Sequence, residues 1–254
     1  MTDQTKYPVD FALRVLSFYT RLISPNADNL AEPDLGGKLL YVGELDEDGR
    51  ALVVASNITG AASLSATADQ AVQKQAVRDG IIDFLVTSLD EALRILKNEI
   101  RKRAPVAVCI ADQPCEIESQ MAERGVLPDL LRPAGESVPV GPPNSGSVDG
   151  ALVIWNVSAA PAQWIPKLDA LALDCLVPEA GSARRWVRMA PRYLGRLAQA
   201  THLVYADRAF AARFLESVKE FSEAPLLVQV TFEGGCNEVK FARWNPEGTG
   251  FPTP

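Results

Sequence analysis

Four arginines at four-residue spacing form the clearest candidate ligand site in this sequence: Arg184, Arg188, Arg192 and Arg196. Residues four apart share one face of a helix, so the four guanidinium groups would form a cationic stripe. Guanidinium groups bind carboxylates and phosphates through paired hydrogen bonds. The favoured interpretation is a solvated or internally paired face, which is what charge runs usually represent. The alternative is a site for a small anionic molecule or a protein partner.

Two aromatic residues accompany the stripe, Trp186 and Tyr193. Aromatic rings close to guanidinium groups could stack on a planar ligand. Pro191 is predicted to kink the helix and so to interrupt the register of the stripe.

Histidine and cysteine, which supply much nucleophilic and metal chemistry, are scarce. The single histidine, His202, lies in the apolar segment THLVYAD, which resembles a buried strand, so we interpret it as structural. The cysteines are Cys109, Cys115, Cys175 and Cys236, with no CxxC pair. Cys115 follows a proline at a predicted helix start, where the helix dipole favours a thiolate, but we favour a buried or merely tolerated cysteine. The sequence therefore predicts no metal site and no catalytic residue.

Composition indicates an ordinary globular protein. The chain has 254 residues, 47% of them apolar, enough for one large α/β domain or two small ones. The net charge of −7 argues against general affinity for nucleic acid, because such affinity comes from neutralising phosphates. No apolar run is long enough to span a membrane, and the N-terminus lacks a secretory pattern, so we expect a cytoplasmic protein.

The first half of the chain alternates strand-like and helix-like segments. Strands are predicted at 37–44, 60–69, 81–86, 105–111 and 126–132, and helices at 69–80, 88–103 and 114–124. Strands that are apolar throughout and alternate with helices predict a parallel sheet covered on both faces. Residues 1–35 are expected to hold an amphipathic helix at 9–23, which packs on the chain's own core or, alternatively, forms a dimer.

The second half is also predicted to be α/β. Residues 134–150 are rich in Pro, Gly and Ser and indicate a linker or a long surface loop. Within 151–254, strands are predicted at 151–158, 201–207, 225–232 and 238–244, and helices at 182–200 and 207–221. The last two strands are expected to pair around the glycine-containing turn at 233–235.

The segments GAASLSATAD (60–69), SLDEALRILKNEIRKRAPVAVC (88–109) and ERGVLPD (123–129) resemble the NAD-binding domain of the urocanase family. The resemblance covers residues 36–133, about two-fifths of the chain. It implies a Rossmann-like fold in a homodimeric enzyme that adds water to urocanate, with tightly bound NAD as an electrophile. It also implies a helix at 49–59. Local propensity favours a hairpin turning at Asp48 and Gly49, but we follow the resemblance.

The sequence departs from the family where the cofactor should bind. Urocanases have a run of glycines in the phosphate loop, because the backbone must approach the pyrophosphate. Here residues 44–48 include four carboxylates between Gly43 and Gly49, and only Arg50 is close enough in sequence to offset their charge. The favoured interpretation is an exposed acidic turn that caps the next helix.

Two further departures lie after later strands. Thr67 replaces the acidic residue that would bind the ribose hydroxyls. Residues 130–135 replace a polar stretch that lies next to the cofactor in the family, and the family's catalytic cysteine region has no counterpart in 134–254. Gly43, Gly49, Arg50 and Thr67 are therefore only weak candidates for binding NAD.

These observations predict a non-catalytic or strongly divergent module that binds a small anionic ligand or a protein partner. The alternative is a urocanase-related hydratase, or a subunit of one, that uses NAD. In the subunit case the 9–23 helix would be the contact with a fuller urocanase-like protein. A homodimer is possible in either case.

Overall fold

The computed structural model describes residues 6–24, 33–132, 150–195, 199–221, 225–232 and 239–243. The chain divides into two compact units, Met1–Pro143 with Arg192–Arg196, and Asn144–Pro191 with Leu197–Pro254. Of the predicted linker, only Gly150 is among the described residues, and it begins a strand.

The first unit alternates helices and strands. Its elements are α1 (Lys6–Ile23), β1 (Leu39–Glu44), α2 (Glu47–Thr59), β2 (Ala62–Ala66), α3 (Gln70–Arg78), β3 (Phe84–Val86), α4 (Leu89–Lys102), β4 (Ala107–Ile110), α5 (Pro114–Glu123) and β5 (Leu130–Leu131). The strand order is β3-β4-β2-β1-β5, and every neighbouring pair is parallel. The predicted parallel Rossmann-like sheet is confirmed.

Alternating side chains give this sheet two different faces. On one face Tyr41, Leu64 and Val108 join a core with Leu96 of α4 and Ile117 of α5. The opposite face is covered by α2, whose residues from 51 to 59 are all buried. Helices therefore cover both faces of the sheet, which is the arrangement that apolar parallel strands favour.

The segment after β1 is a helix, so the hairpin favoured by propensity is wrong and the helix implied by the resemblance is confirmed. The side chain of Asp46 caps α2, and Gly60 ends it in the left-handed conformation. Two adjacent valines, Val53 and Val54, favour a strand locally, but burial between the sheet and α1 decides the structure.

The apolar side of α1 is buried within the chain. Phe11, Val15 and Phe18 are at most 3% exposed, and α1 packs against α2. The interpretation that α1 packs on the chain's own core is therefore confirmed. Dimerisation of the protein stays a prediction.

The second unit has an antiparallel sheet of its own. Its elements are β6 (Gly150–Val157), α6 (Pro161–Cys175), α7 (Gly181–Leu194, as far as Pro191), β7 (Thr201–Asp207), α8 (Arg208–Val218), β8 (Leu226–Phe232) and β9 (Val239–Arg243). The strand order is β7-β6-β8-β9. The predicted pairing of the last two strands is confirmed, although their turn at 233–235 lies outside the described residues.

One helix of this unit, α6, escaped prediction. It begins after Ala160, which has φ 52° and makes no side-chain capping bond, and it contains Pro166. A missing cap and an internal proline remove the usual helix signals. Helix α7 ends at Leu194, earlier than predicted, and contains Pro191. No helix in the described part of the chain is long and apolar enough to cross a membrane.

Candidate functional site

The N-terminus of α2 lies at the end of β1, where a Rossmann-like fold binds the pyrophosphate of a dinucleotide. In this chain a carboxylate of the protein occupies that helix end. Asp46 Oδ1 accepts the backbone N–H of Gly49 at 2.7 Å. The carbonyl of Asp46 accepts the N–H of Arg50 at 2.9 Å. An internal anion therefore already satisfies a backbone donor that a bound phosphate would need. The expectation that the acidic turn caps the next helix is confirmed.

The acidic loop at residues 43–49 contains two glycines, and the backbone of the loop requires both. Gly43 has φ 74°, a conformation that other residues adopt only with strain. A methyl group on Gly49 would lie 2.2 Å from the carbonyl oxygen of Glu44, so only glycine lets α2 approach the end of β1 this closely. Both glycines are explained by the loop itself, without a ligand.

The charge of Asp46 is neutralised by Arg132, which directly follows β5. Arg132 donates from Nη1 to Asp46 Oδ1 at 2.9 Å and from Nη2 to Oδ2 at 3.0 Å. It also donates to the carbonyl oxygen of Glu44 at 3.2 Å. This is the bidentate arrangement that guanidinium groups form with carboxylates. Asp46 belongs to the acidic residues 44–48, and Arg132 belongs to residues 130–135. Two of the segments that differ from the family therefore bind each other through this ion pair.

Two other acids of the loop, Glu47 and Asp48, are paired with Arg14 of α1. Arg14 Nη2 lies 3.3 Å from Glu47 Oε1, and Nη1 hydrogen-bonds to Asp48. Arg50, which the sequence presented as the only compensating cation, pairs with Asp79 at the end of α3 instead. That expectation is therefore wrong, because the compensating arginines are 34 and 86 residues away in the chain.

A dinucleotide could enter this loop only by breaking these contacts. Displacing Arg132 would leave Asp46 facing the incoming phosphate. Two like charges about 4 Å apart repel each other by about 4 kcal/mol near a protein surface. The loop as folded is therefore unsuited to a pyrophosphate.

Thr67, at the end of β2, is also engaged within the chain. It is 1% exposed, and its hydroxyl accepts the N–H of Asp69 at 3.3 Å. Its carbonyl accepts the side-chain amide of Gln73 at 2.8 Å. These bonds form the turn into α3, so both oxygens of Thr67 accept hydrogen bonds from within the chain.

A pocket of about 620 Å³ lies beside the loop, between β1, α5 and the β5 edge. It is lined by Tyr41, Val42, Gly43, Glu44, Asp46, Glu118, Met121, Ala122, Val126, Leu127, Pro128, Leu131 and Arg132. The Tyr41 hydroxyl donates to Glu118 Oε1 at 3.2 Å. Burial raises the pKa of Tyr41 well above its usual value, and the charges of Glu118 and Glu44 raise it further. Sequence reasoning missed this pocket, because its residues come from three separate segments.

The arginine stripe is divided among different contacts. Arg184 Nη1 donates to the carbonyls of Leu173 and Leu176 at 2.8 and 2.9 Å, at the end of α6. The Arg192 guanidinium lies 5.4 Å from the ring centre of Tyr193. Arg188 is exposed, and Arg196 lies outside the described residues. For Arg184 the internally paired interpretation therefore holds.

The predicted stacking of Trp186 on a ligand is wrong. Trp186 is 1% exposed, and its indole N–H donates to the carbonyl of Leu203 at 2.6 Å. An indole so buried belongs to the core of the second unit and offers no face to a ligand.

The single histidine lies in a structural network of the second unit. His202 Nδ1 is 2.8 Å from Asp169 Oδ1, and the same oxygen accepts the indole N–H of Trp155 at 3.2 Å. Among the described cysteines, Cys109 and Cys175 are buried and Cys115 is exposed at the start of α5. Burial raises the pKa of Cys109, which makes that thiol unreactive.

Comparison with known families agrees with this architecture. Residues 19–134 match the family model described as the urocanase Rossmann-like domain. The match begins inside α1 and ends just after Arg132. It therefore includes the acidic loop at residues 43–49 and the residues that line the pocket. Residues 19–134 are therefore similar to a urocanase Rossmann-like domain, and the resemblance inferred for residues 36–133 is confirmed.

Proposed function

We propose that this protein is a non-catalytic binding module that has kept the urocanase-type sheet and does not hold a dinucleotide. One observation carries the proposal: the Asp46 carboxylate caps α2 where a phosphate would bind, and Arg132 neutralises it through both oxygens. A protein that needed NAD would gain nothing from closing this helix end with its own charges.

The proposed ligand is a protein partner or a small anionic molecule. For an anion, the exposed residues of the stripe are the candidates, each by itself: Arg188 in the second unit and Arg192 in the first. Arg184 supports it less, since its Nη1 already binds two carbonyls. We also propose a cytoplasmic location, because the described cysteines are free thiols, as in reducing compartments.

Nucleotide extraction tests the proposal directly. The chain is purified, denatured, and the supernatant is analysed for nucleotides by chromatography. We expect no NAD, and we expect millimolar NAD to leave the melting temperature of the protein unchanged. Stoichiometric NAD in the extract, or a rise in melting temperature with NAD, would overturn the proposal.

The family match favours a second candidate, a urocanase-related hydratase or a subunit of one. Hydration of urocanate removes its conjugated ultraviolet absorbance, which gives a simple assay. We expect no fall in absorbance when the protein, NAD and urocanate are incubated together. A fall that depends on protein concentration would establish the second candidate in place of the first.

A further inference from the structure

The pocket between β1, α5 and β5 is lined by two charged side chains that pair with each other and by two that do not. Asp46 and Arg132 line it but neutralise each other through the bidentate contact described above. Glu44 and Glu118 also line it, and neither forms an ion pair with any side chain in the described part of the chain. The pocket therefore has an excess of two negative charges.

Among the described residues, Glu44 and Glu118 accept hydrogen bonds only from uncharged donors, so these bonds do not neutralise the two carboxylates. Glu44 accepts the N–H of its own neighbour Leu45 at 3.2 Å, and Glu118 accepts the hydroxyl of Tyr41 at 3.2 Å. Both acids raise the pKa of Tyr41, so their fields converge on a residue in the pocket wall. The sequence after Arg132, residues 133–149, contains no Lys or Arg.

The rest of the pocket is apolar and open to solvent. Met121 and Val126 contribute to its wall, while Leu127 and Leu131 are 88% and 65% exposed. Large exposed leucines next to a concavity are surface that an occupant would remove from water. A volume of about 620 Å³ lies within the range of roughly 300 to 1,000 Å³ that small-molecule sites occupy.

We propose that this pocket binds a small organic monocation with an apolar body, such as an arylalkylamine. The ammonium group interacts with Glu44 and Glu118, and the apolar body covers Leu127 and Leu131. An anion of the same shape would meet the same two carboxylates and be repelled. This goes beyond the proposed function, because it assigns a cationic ligand to Glu44 and Glu118, which do not cap α2.

Two probes with the same apolar body and opposite charge test the site: phenylbutylamine and phenylbutyrate. Binding to the full chain is measured by isothermal titration calorimetry in low salt. We expect phenylbutylamine to bind at least about tenfold more tightly than phenylbutyrate, which corresponds to about 1.4 kcal/mol. Comparable affinities for the two probes, or no binding of phenylbutylamine, would overturn the proposal.

A matched pair of double variants locates the binding. Glu44→Gln with Glu118→Gln removes the two pocket charges, and we expect phenylbutylamine to lose at least about tenfold in affinity. Glu116→Gln with Glu123→Gln removes two exposed charges of α5 outside the pocket lining and is expected to retain most of the affinity. An equal loss in both pairs would show a general charge effect and would refute the site.

A third variant tests the apolar contribution. Leu131→Ser changes an exposed side chain, so the fold should persist, and the affinity for phenylbutylamine should fall several-fold. Circular dichroism confirms that each variant is folded. Affinity unchanged in Leu131→Ser would contradict the placement of the apolar body. None of these results bears on nucleotide extraction, so the two proposals fail separately.

Discussion

Glu44 belongs both to the acidic loop at residues 43–49 and to the pocket beside it. The charges of the loop and those of the pocket are balanced in different ways. In the loop, the carboxylates of Asp46, Glu47 and Asp48 meet guanidinium groups brought from α1 and from the end of β5. In the pocket, Glu44 and Glu118 lie among apolar side chains with no such partner in the described residues.

The difference separates charges that build the fold from charges that are available to a ligand. Side chains of Arg14 and Asp48 are each 15% exposed, so removing either one leaves a poorly hydrated charge behind. Glu118 is exposed, so its charge is hydrated whether or not a ligand is bound. Substitutions in the loop should therefore lower the stability of the protein, and substitutions of the pocket acids should not.

The largest effect is expected at Gly49. Gly49→Ala places a methyl group 2.2 Å from the Glu44 carbonyl oxygen, and because that atom is backbone, α2 must move away from β1. We expect the free energy of unfolding to fall by about 3 kcal/mol. Urea denaturation followed by circular dichroism measures it.

Gly43→Ala is the matched control for that substitution. No atom lies within 4 Å of the added methyl group, so only the positive φ is penalised, by about 1 to 2 kcal/mol. If Gly49→Ala is no worse than Gly43→Ala, close packing of the loop is not what requires Gly49.

The next largest effect is expected from removing Arg14. Arg14→Ala leaves Asp48 without its nearest cation at low exposure, and we expect a loss of about 2 kcal/mol in unfolding free energy. The double variant Arg14→Ala with Asp48→Asn should recover part of that loss, because no buried charge is then left unpaired. A double variant less stable than Arg14→Ala would mean that the ion pair is not the origin of the effect.

A smaller effect is expected from Arg132→Ala. Asp46 keeps its bond to the Gly49 N–H, and its side chain is 50% exposed, so we expect a loss of about 1 kcal/mol or less. NAD should still not bind, because the loop then carries one more uncompensated negative charge. Binding of NAD to Arg132→Ala in a thermal-shift titration would show that this arginine, rather than the acids, excludes the cofactor.

Local patterns in the sequence predicted most of the first unit, because they act over a few residues. The helices predicted at 88–103 and 114–124 are both present: Ser88 caps α4 by accepting the N–H of Glu91, and Pro114 occupies the start of α5. The inner strands β2 and β4 are buried along their whole length, which is typical of parallel strands covered on both faces. The acidic turn was also correctly expected to cap a helix.

The contacts that decide the site could not be predicted in the same way. Nothing in a single sequence indicates that Arg132 meets Asp46, since any arginine could reach any exposed acid until the fold brings them together. The contacts of the arginine stripe could not be predicted either. Arg184 binds carbonyls at the end of α6, a helix that the sequence did not predict. A periodic pattern identifies a shared face, and the neighbouring element determines what that face contacts.

The smallest predicted effect concerns the pocket and is electrostatic. Burial, followed by the charge of Glu118, raises the pKa of Tyr41, so the folded phenol keeps its proton at a pH where an unfolded tyrosine would lose it. The stability contributed by this group is complete below the usual tyrosine pKa of about 10 and is lost as the pH rises. Tyr41→Phe should therefore make the unfolding free energy less dependent on pH in the alkaline range.

The variant Glu118→Gln tests how much one neighbouring charge contributes to the raised pKa of Tyr41. It removes a negative charge beside the phenol, so the pKa of Tyr41 should fall, while burial still holds it above the usual value. Ultraviolet titration of tyrosinate, with Tyr41→Phe subtracted to remove the other tyrosines, measures the shift. The unfolding free energy near neutral pH should change by no more than about 0.5 kcal/mol, because Glu118 is exposed. A large loss of stability in Glu118→Gln would place this acid with the structural charges of the loop and end the distinction between the two regions.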